Sequence, residues 1–85
     1  QDIVRVFLSA STDSTRAEFC PISSKASADC EGPLYETEMY VERNNEKIFY
    51  IDISQEELLI GRWRFLAFDK KMKPTGMRNV EISKP

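Results

Sequence analysis

Apolar and polar residues alternate along several short stretches of this chain, and a period of two is typical of half-buried β-strands. The clearest stretch is LYETEMYVE at residues 34–42. Every second residue from Tyr35 to Val41 falls on one face, whereas three glutamates and Tyr40 fall on the other. We therefore predict one continuous strand here, with the glutamate face in water.

A tight hairpin is predicted directly after this strand. Asn44 and Asn45 follow it, and asparagine tolerates the positive φ angles that a two-residue hairpin turn requires. The next segment, KIFYIDI at residues 47–53, is predicted to return as the partner strand.

The last third of the chain predicts another pair of strands. The alternation returns in RWRFLAF, where Trp63, Phe65 and Ala67 fall on one face. The connection DKKMKPTG contains a proline and a glycine, which are typical turn residues. The final segment RNVEIS, residues 78–83, is predicted to close the sheet with its valine and isoleucine facing the core.

The remaining elements give weaker patterns. Residues 3–10 are rich in β-branched and aromatic side chains and predict a first strand. Residues 17–22 are a candidate second strand, and residues 20–33 read as a loop. Ser54 and Glu57 have the spacing of a capping box, which predicts one helical turn in a segment too short for a full helix.

These elements add up to six or seven short strands and at most one helical turn. Turn residues separate the strands at regular intervals, so we predict an all-β fold, a small antiparallel β-sandwich or barrel. The length of 85 residues predicts a single domain over residues 1–85. A hydrophobic fraction of 41% is sufficient for a core, although a chain of this size has a thin stability margin.

Residues 38–83 resemble part of a fibronectin type III or immunoglobulin-like sandwich. MYVERNNEKI is similar to the C–C′ hairpin of these families, and GRWRFLAFDKKMKPTGMRNVEIS follows the outline of their F and G strands. The matching positions are Gly61, Trp63, Phe65, Ala67, Asp69, Gly76, Val80 and Ile82. Trp63 stands where the F strand typically has a tyrosine. The resemblance implies a sandwich of this type, and it concerns core positions, so it implies no function.

Two cysteines, Cys20 and Cys30, enclose the Ser- and Ala-rich segment CPISSKASADC. Their spacing is not that of a CxxC redox motif, and without histidine they cannot form a zinc site of the usual kind. A disulfide closing this loop would stabilise the fold by roughly 2–3 kcal/mol in the chain-entropy model. We therefore predict a disulfide and an oxidising compartment. The alternative is two separate reduced thiols in a cytosolic protein.

The residue types required for catalysis and for cofactor binding are sparse. The chain has no histidine, the commonest general base and metal ligand near neutral pH. No nucleophile signature surrounds its serines, and its three glycines form no phosphate-binding loop. The acidic segment DCEGPLYETE lacks the spacing of an EF-hand. We expect no enzymatic activity, no metal and no cofactor.

No apolar run approaches the roughly eighteen residues needed to cross a bilayer, so no membrane span is expected within this chain. The chain begins at Gln1 and not at methionine, so an upstream leader or lipid anchor is possible. The predicted disulfide by itself predicts a secreted, periplasmic or cell-surface protein.

Charge is strongly polarised along the chain. Residues 1–61 contain five basic and twelve acidic side chains, whereas residues 62–85 contain seven basic and two acidic ones, within a net charge of −2. The F and C strands are neighbours in the sandwich that the chain resembles, so Arg62 and Arg64 are expected to pair with glutamates across it. The candidate partners are Glu36, Glu38 and Glu42. Such pairs contribute about 0.2–1 kcal/mol each.

A basic loop between the last two strands is the first candidate binding surface. It contains Lys70, Lys71, Met72 and Lys73 and leads to Arg78. A turn of this length projects beyond the sheet, and an exposed methionine beside lysines is an adaptable contact surface. The loop is predicted either to bind a partner or only to increase solubility.

Phe68 and Tyr40 are predicted to extend this surface as apolar anchors. If Trp63 points inward, Leu66 and Phe68 point outward and form an exposed patch with Tyr40, a feature that usually marks an interface. Alternatively, a loop such as the Cys20–Cys30 segment covers them. Nucleic acid is disfavoured as the partner because the pI is about 5.1 and most of the chain is acidic.

These observations together predict an extracytoplasmic module that binds another protein and has no enzymatic activity. One alternative is a small secreted or envelope inhibitor whose CPISSKASADC loop plugs an enzyme, a receptor or a channel. A second alternative is a structural module of a larger assembly.

Overall fold

Seven β-strands and no helix form the described part of this computed structural model, which comprises residues 2–22 and 29–83. The strands are β1 (Ile3–Ala10), β2 (Ser14–Pro21), β3 (Tyr35–Thr37), β4 (Tyr40–Arg43), β5 (Glu46–Ser54), β6 (Gly61–Asp69) and β7 (Pro74–Ile82). The described residues include no helix long and apolar enough to cross a membrane.

The strands form two antiparallel sheets. The three-stranded sheet has the order β1-β5-β4, and the four-stranded sheet has the order β3-β2-β6-β7. The molecule measures 32 × 32 × 18 Å, and its short axis accommodates two sheets packed at about 10 Å with their outer side chains. The predicted all-β class with six to seven strands is confirmed, and the two antiparallel sheets are compatible with the predicted small β-sandwich.

The hydrophobic core lies between the two sheets and takes side chains from both. Phe49 from the three-stranded sheet and Phe19 and Trp63 from the four-stranded sheet are almost completely buried. Phe19 and Phe65 pack edge to face with their ring centroids 4.8 Å apart. The inward direction that the alternation predicted for Trp63, Phe65 and Ala67 is therefore confirmed.

Several predicted boundaries agree with the structure. β1 spans Ile3–Ala10 as predicted, and Asn44 and Asn45 form the β4–β5 hairpin turn with φ angles of 53° and 64°. In the Ser54 turn, the Ser54 hydroxyl accepts the Glu56 amide at 3.3 Å, which gives one turn without a regular helix. β2 begins three residues before its prediction, at Ser14.

The prediction of one continuous strand over residues 34–42 is wrong. The segment contains two strands in different sheets, because β3 pairs with β2 and β4 pairs with β5. The chain crosses between the sheets at residues 38–39, where the Met39 amide donates to the Thr37 hydroxyl at 2.9 Å. The polar and apolar residues keep their period of two through this crossover, so the pattern does not reveal it.

The assignment of MYVERNNEKI to a C–C′ hairpin is also corrected. β4 and β5 belong to the three-stranded sheet with β1, and the neighbours of β6 are β2 and β7. The hairpin was predicted correctly as a hairpin, but it lies in the sheet opposite β6. The residues of a turn determine whether two consecutive strands form a hairpin. The sheet that the hairpin joins depends on strands that are distant in the sequence.

Candidate protein-binding surface

The tip of the β6–β7 hairpin is held by Asp69. Its carboxylate oxygen Oδ1 accepts the backbone amides of Lys71 at 2.8 Å and Lys73 at 2.9 Å. Its own amide donates to the Lys73 carbonyl at 2.9 Å, and its carbonyl accepts the Met72 amide at 3.0 Å. Four hydrogen bonds to one residue give this tip a defined backbone conformation, so the three lysines project from a fixed base.

Met72 occupies the left-handed backbone region, with φ at 66°. A residue other than glycine is uncommon there, and the hydrogen bonds to Asp69 offset the conformational cost. The Met72 side chain remains 56% exposed, while its sulfur lies 3.7 Å from a guanidinium nitrogen of Arg16. Met72 is therefore both exposed and oriented by a neighbouring strand.

The three lysines of the tip are exposed around a shallow depression. The depression is lined by Lys70, Lys71, Lys73, Asp13 and Asp69. The Asp69 carboxylate is already engaged by backbone amides, and that of Asp13 accepts a hydrogen bond from the Ser11 hydroxyl. The ammonium groups are the donors that this surface offers to an incoming anionic group.

Three turns meet at this end of the sandwich. The register pairs Ala10 with Lys47 and Ser14 with Asp69, which brings the β1–β2 turn next to both the β4–β5 and β6–β7 hairpins. The Lys47 ammonium donates to the Ser14 carbonyl at 2.8 Å and ties the two sheets together at this point. The basic tip therefore belongs to a surface of three loops on a common base.

Arg78 does not belong to the basic tip. It lies four residues beyond Pro74, which is about 13 Å along an extended strand. It pairs with Phe65, so it lies on the inward-facing side of β7, at the exposed edge of the sheet. The sequence grouped Arg78 with the lysines because of its charge, and the register separates it from them.

Phe68 and Tyr40 do not form one surface. Phe68 lies on the outer face of the four-stranded sheet, where it pairs with Arg16. Tyr40 belongs to the three-stranded sheet and pairs with the buried Phe49, with ring centroids 5.6 Å apart. The Lys47 ammonium lies 4.6 Å from the Tyr40 ring centroid.

Arg16 was missed by the sequence reasoning and organises the outer face of the four-stranded sheet. Its guanidinium lies 3.0 Å from the Glu18 carboxylate and 3.7 Å from that of Glu36. The same group lies 4.9 Å from the Phe68 ring centroid and also contacts the Met72 sulfur. Arg16 thus covers the aromatic ring that was predicted to be an open apolar anchor. Arg16 lies before the predicted second strand, so the sequence did not predict which face of the sheet its side chain would occupy.

The strand order does not place the two arginines at the start of β6 on strands adjacent to the glutamates expected. Arg62 lies 3.7 Å from Glu81 on β7. Arg64 approaches the Cys20 sulfur at 3.9 Å. The neighbours of β6 are β2 and β7, so β2 separates it from Glu36 on β3, and β4 with its Glu42 lies in the other sheet.

Cys20 and Cys30 lie 2.7 Å apart, and both are free thiols, so the predicted disulfide is not formed. Cys20 is buried, whereas Cys30 is exposed. Burial, followed by the hydrogen bond with Cys30, raises the pKa of Cys20 to about 12. Most of the predicted plug segment, residues 23–28, lies outside the described residues.

The outer face of the three-stranded sheet exposes apolar side chains that the sequence reasoning did not single out. Ile3 is 62% exposed and Phe7 is 55% exposed on β1. Val41 is exposed on β4, at the opposite edge of the same sheet, and Met39 is exposed just before β4. The polar residues Arg5 and Ser9 could have indicated the outer face of β1, because a period of two places Ile3 and Phe7 on the same face.

The described residues contain no cluster of three or more metal-ligating side chains. A scan against models of known protein families and searches of curated proteins and of solved structures found no match to this chain.

Proposed function

We propose that this chain is a non-enzymatic module of the immunoglobulin type that binds an acidic surface of another protein through its basic β6–β7 tip. The observation that carries the proposal is the set of four hydrogen bonds by which Asp69 contacts the backbone of the tip that carries Lys70, Lys71 and Lys73. Binding to a preorganised loop costs less conformational entropy than binding to a mobile one.

The strand order supports the immunoglobulin type. In that family, strands A, B, E and D form one sheet, and strands C, F and G form the other, which C′ extends in some members. The orders β1-β5-β4 and β3-β2-β6-β7 correspond to B-E-D and C′-C-F-G, with no counterpart of strand A among the described residues. In this correspondence the basic tip is the F–G loop.

The charge distribution indicates the chemistry of the partner. The tip presents three ammonium groups on a protein whose net charge is −2, so a complementary partner carries carboxylates that meet the tip. Such complementarity accelerates association and orients the partner, and it weakens as salt screens the charges. The acidic remainder of the chain would repel the continuous phosphate backbone of a nucleic acid.

We further propose that the protein functions in an oxidising compartment as a secreted, periplasmic or cell-surface protein. In that setting the exposed Cys30 thiolate would attack an external disulfide, and Cys20 would then displace the outgoing thiol to close an intramolecular bond. The external disulfide is reduced to two thiols, and the chain loses two hydrogen atoms. Mass spectrometry after alkylation under non-reducing conditions would detect the bond. If both thiols are alkylated in freshly isolated native protein, this localisation is wrong.

The binding proposal is tested by comparing three variants of the tip and its strand. Secreted and surface proteins from the source are captured on the immobilised wild-type chain, and the recovered partner is purified for titration at several salt concentrations. The combined substitution K70Q/K71Q/K73Q should weaken binding by about tenfold or more at low salt. It should also reduce the salt dependence of the dissociation constant.

Two matched controls separate charge from the other properties of the tip. K70R/K71R/K73R keeps the charges and should retain binding. Arg78→Gln removes one charge at a position that the register separates from the tip, so it should change the affinity less than twofold. Equal affinity of the wild-type and triple-glutamine proteins for every recovered partner would contradict the proposal.

A further inference from the structure

The two ends of the molecule differ in their surface chemistry. One end carries the basic tip, with its three exposed lysines and the exposed Met72. β6 connects this end with the opposite one, and its nine residues from Gly61 to Asp69 extend over about 26 Å at the spacing of a strand. Groups at the two ends are therefore too far apart to meet within one copy of the chain.

Exposed aliphatic side chains gather at the end opposite the tip. Leu34, Leu59 and Ile60 are each about half exposed. They lie on residues 29–34 and 55–60, two segments that we call the far end. Apolar side chains of this size that are exposed together usually mark a contact surface.

The two segments of the far end pack against each other and against the core. A Cβ atom added at Gly32 would lie only 3.2 Å from the Leu59 Cδ1 atom, so the first segment contacts the second. The Glu31 amide donates to the Pro21 carbonyl at 2.8 Å, and the Trp63 indole nitrogen donates to the Leu59 carbonyl at 2.9 Å. The aliphatic side chains therefore form one surface on a supported backbone.

Carboxylates surround this aliphatic surface. Glu31 lies on the first segment, Glu56 and Glu57 lie on the second, and all three side chains are exposed. The Gln55 amide donates to the Asp2 carbonyl at 2.9 Å, which places the exposed Asp2 beside the second segment. The far end therefore combines negative charge with apolar side chains, whereas the tip combines positive charge with an exposed methionine.

We propose that the basic tip of one copy of this chain binds the far end of another copy, so that the copies associate head to tail. The proposal rests on the function proposed above and names a second copy as the protein whose acidic surface the tip binds. Charge complementarity favours this partner, because the three ammonium groups of a tip would meet the glutamates of a far end. Met72, an adaptable contact side chain, would meet the aliphatic residues.

This contact joins two different surfaces, so it does not use them up. When two copies associate, one tip and one far end remain unoccupied, and a further copy can bind at either side. The short axis of the molecule is 18 Å, which limits the area available at each end. We therefore expect a contact below the roughly 800 Å² per partner of a standard interface, and weak association into a series of increasing length.

Light scattering of the wild-type chain at low salt, from low micromolar to near-millimolar concentration, measures this association. The average mass should rise continuously past that of two copies, because every added copy presents a new tip or a new far end. Added salt should reverse the rise, since it screens the charges. A monomeric mass at every concentration, or a mass that stops at two copies, would overturn the proposal.

Two variants that each lack one surface give the sharpest test. K70Q/K71Q/K73Q neutralises the tip and keeps the far end, whereas E31Q/E57Q/I60S alters the far end and keeps the tip. All substituted side chains are exposed, and Trp63 fluorescence verifies that both variants are folded. Each variant alone should need about tenfold or more protein than the wild type to associate.

An equimolar mixture of these two variants restores one intact tip and one intact far end per pair. The mixture should therefore reach the mass of two copies and stop there. K70R/K71R/K73R keeps the charges of the tip and should associate as the wild type does. Two variants that are monomeric alone and stay monomeric when mixed would contradict the proposal, and if a variant fails to fold, the wild-type mass decides alone.

The head-to-tail proposal and the binding function of the tip fail in different ways. If the wild-type chain is monomeric but a different protein binds it more tightly than K70Q/K71Q/K73Q, the second copy is the wrong partner and the function of the tip stands. If copies associate equally well with and without the tip lysines, the association does not use the tip and the head-to-tail proposal is wrong.

Discussion

The two sheets share one core but have very different outer faces. On the four-stranded sheet, Arg16 lies over Phe68 and joins the carboxylates of Glu18 and Glu36, so the aromatic ring is covered by a charged network. On the three-stranded sheet, Ile3 and Phe7 remain largely exposed. The first face is suited to water and supports the basic tip, whereas the second offers apolar surface. The difference separates the basic tip, through which we propose binding, from the exposed apolar side chains of the other sheet.

The largest expected effect tests whether the inner faces of the two sheets contribute equally to the free energy of unfolding. Phe19→Ala and Phe49→Ala remove a fully buried ring from each sheet, and each should lower the free energy of unfolding by about 3–5 kcal/mol. Urea unfolding followed by Trp63 fluorescence measures both. Phe7→Ala is the matched control on the outer face and should change stability by about 0.5 kcal/mol or less. A loss at Phe7 equal to that at Phe19 would show that the outer face is not exposed as described.

The next effect concerns the charged network of the four-stranded sheet. Arg16→Met keeps an extended side chain over Phe68 but removes the ion pairs and the cation–π contact, so it should cost about 1–2 kcal/mol of unfolding free energy. Arg5→Met on the other sheet is the control and should cost less, because the Arg5 side chain is 56% exposed whereas that of Arg16 is 22% exposed. Denaturant unfolding of the two variants measures both losses of unfolding free energy. A larger loss for Arg5→Met than for Arg16→Met would contradict the comparison.

A smaller effect is expected at the tip. Asp69→Ala removes the two bonds from Oδ1 to the Lys71 and Lys73 amides and should cost about 1 kcal/mol. Exchange of these two amides should accelerate, while exchange within the β4–β5 hairpin stays unchanged. Asp69→Asn retains one carbonyl acceptor and should restore most of the protection. Unchanged exchange in Asp69→Ala would mean that the side chain does not hold the tip.

The smallest effect is a change in titration on the three-stranded sheet. The hydrogen bonds from Arg5 lower the pKa of Asp52 below its ordinary value. The stability from this pair is therefore present above the pKa of an unfolded aspartate, about 3.9, and is lost as pH falls through the lower folded value. Arg5→Gln should move the Asp52 pKa upward, as measured by carboxyl carbon NMR. No movement would place Arg5 away from Asp52 in solution.

The sequence was most informative where one local rule determined the structure. The alternation of β6 predicted the burial of Trp63 and Phe65, and the chemistry of Asn44 and Asn45 predicted their turn. These outcomes depend on neighbours in sequence and on a single buried face, so pattern and turn residues were sufficient.

The missed features depend on which strands become neighbours. The alternation of polar and apolar residues continues through the crossover at residues 38–39, so the local sequence pattern does not show that the chain changes sheets. Arg16 contacts Phe68 and Met72 only because β2 pairs with β6, and Arg78 shares only its charge with the tip. The sequence therefore predicted the lysines of the candidate site. It did not predict that Arg16 and Asp69 shape the base of that site.

The central claim is that Asp69 fixes the conformation of the tip before any partner binds. Backbone nitrogen relaxation of the free protein tests this claim directly, because it reports fast motion at each amide. We predict order parameters at Lys71, Met72 and Lys73 near the value of about 0.85 that is typical of rigid backbone. Values below about 0.6 at these residues would mean a flexible loop and would contradict the account.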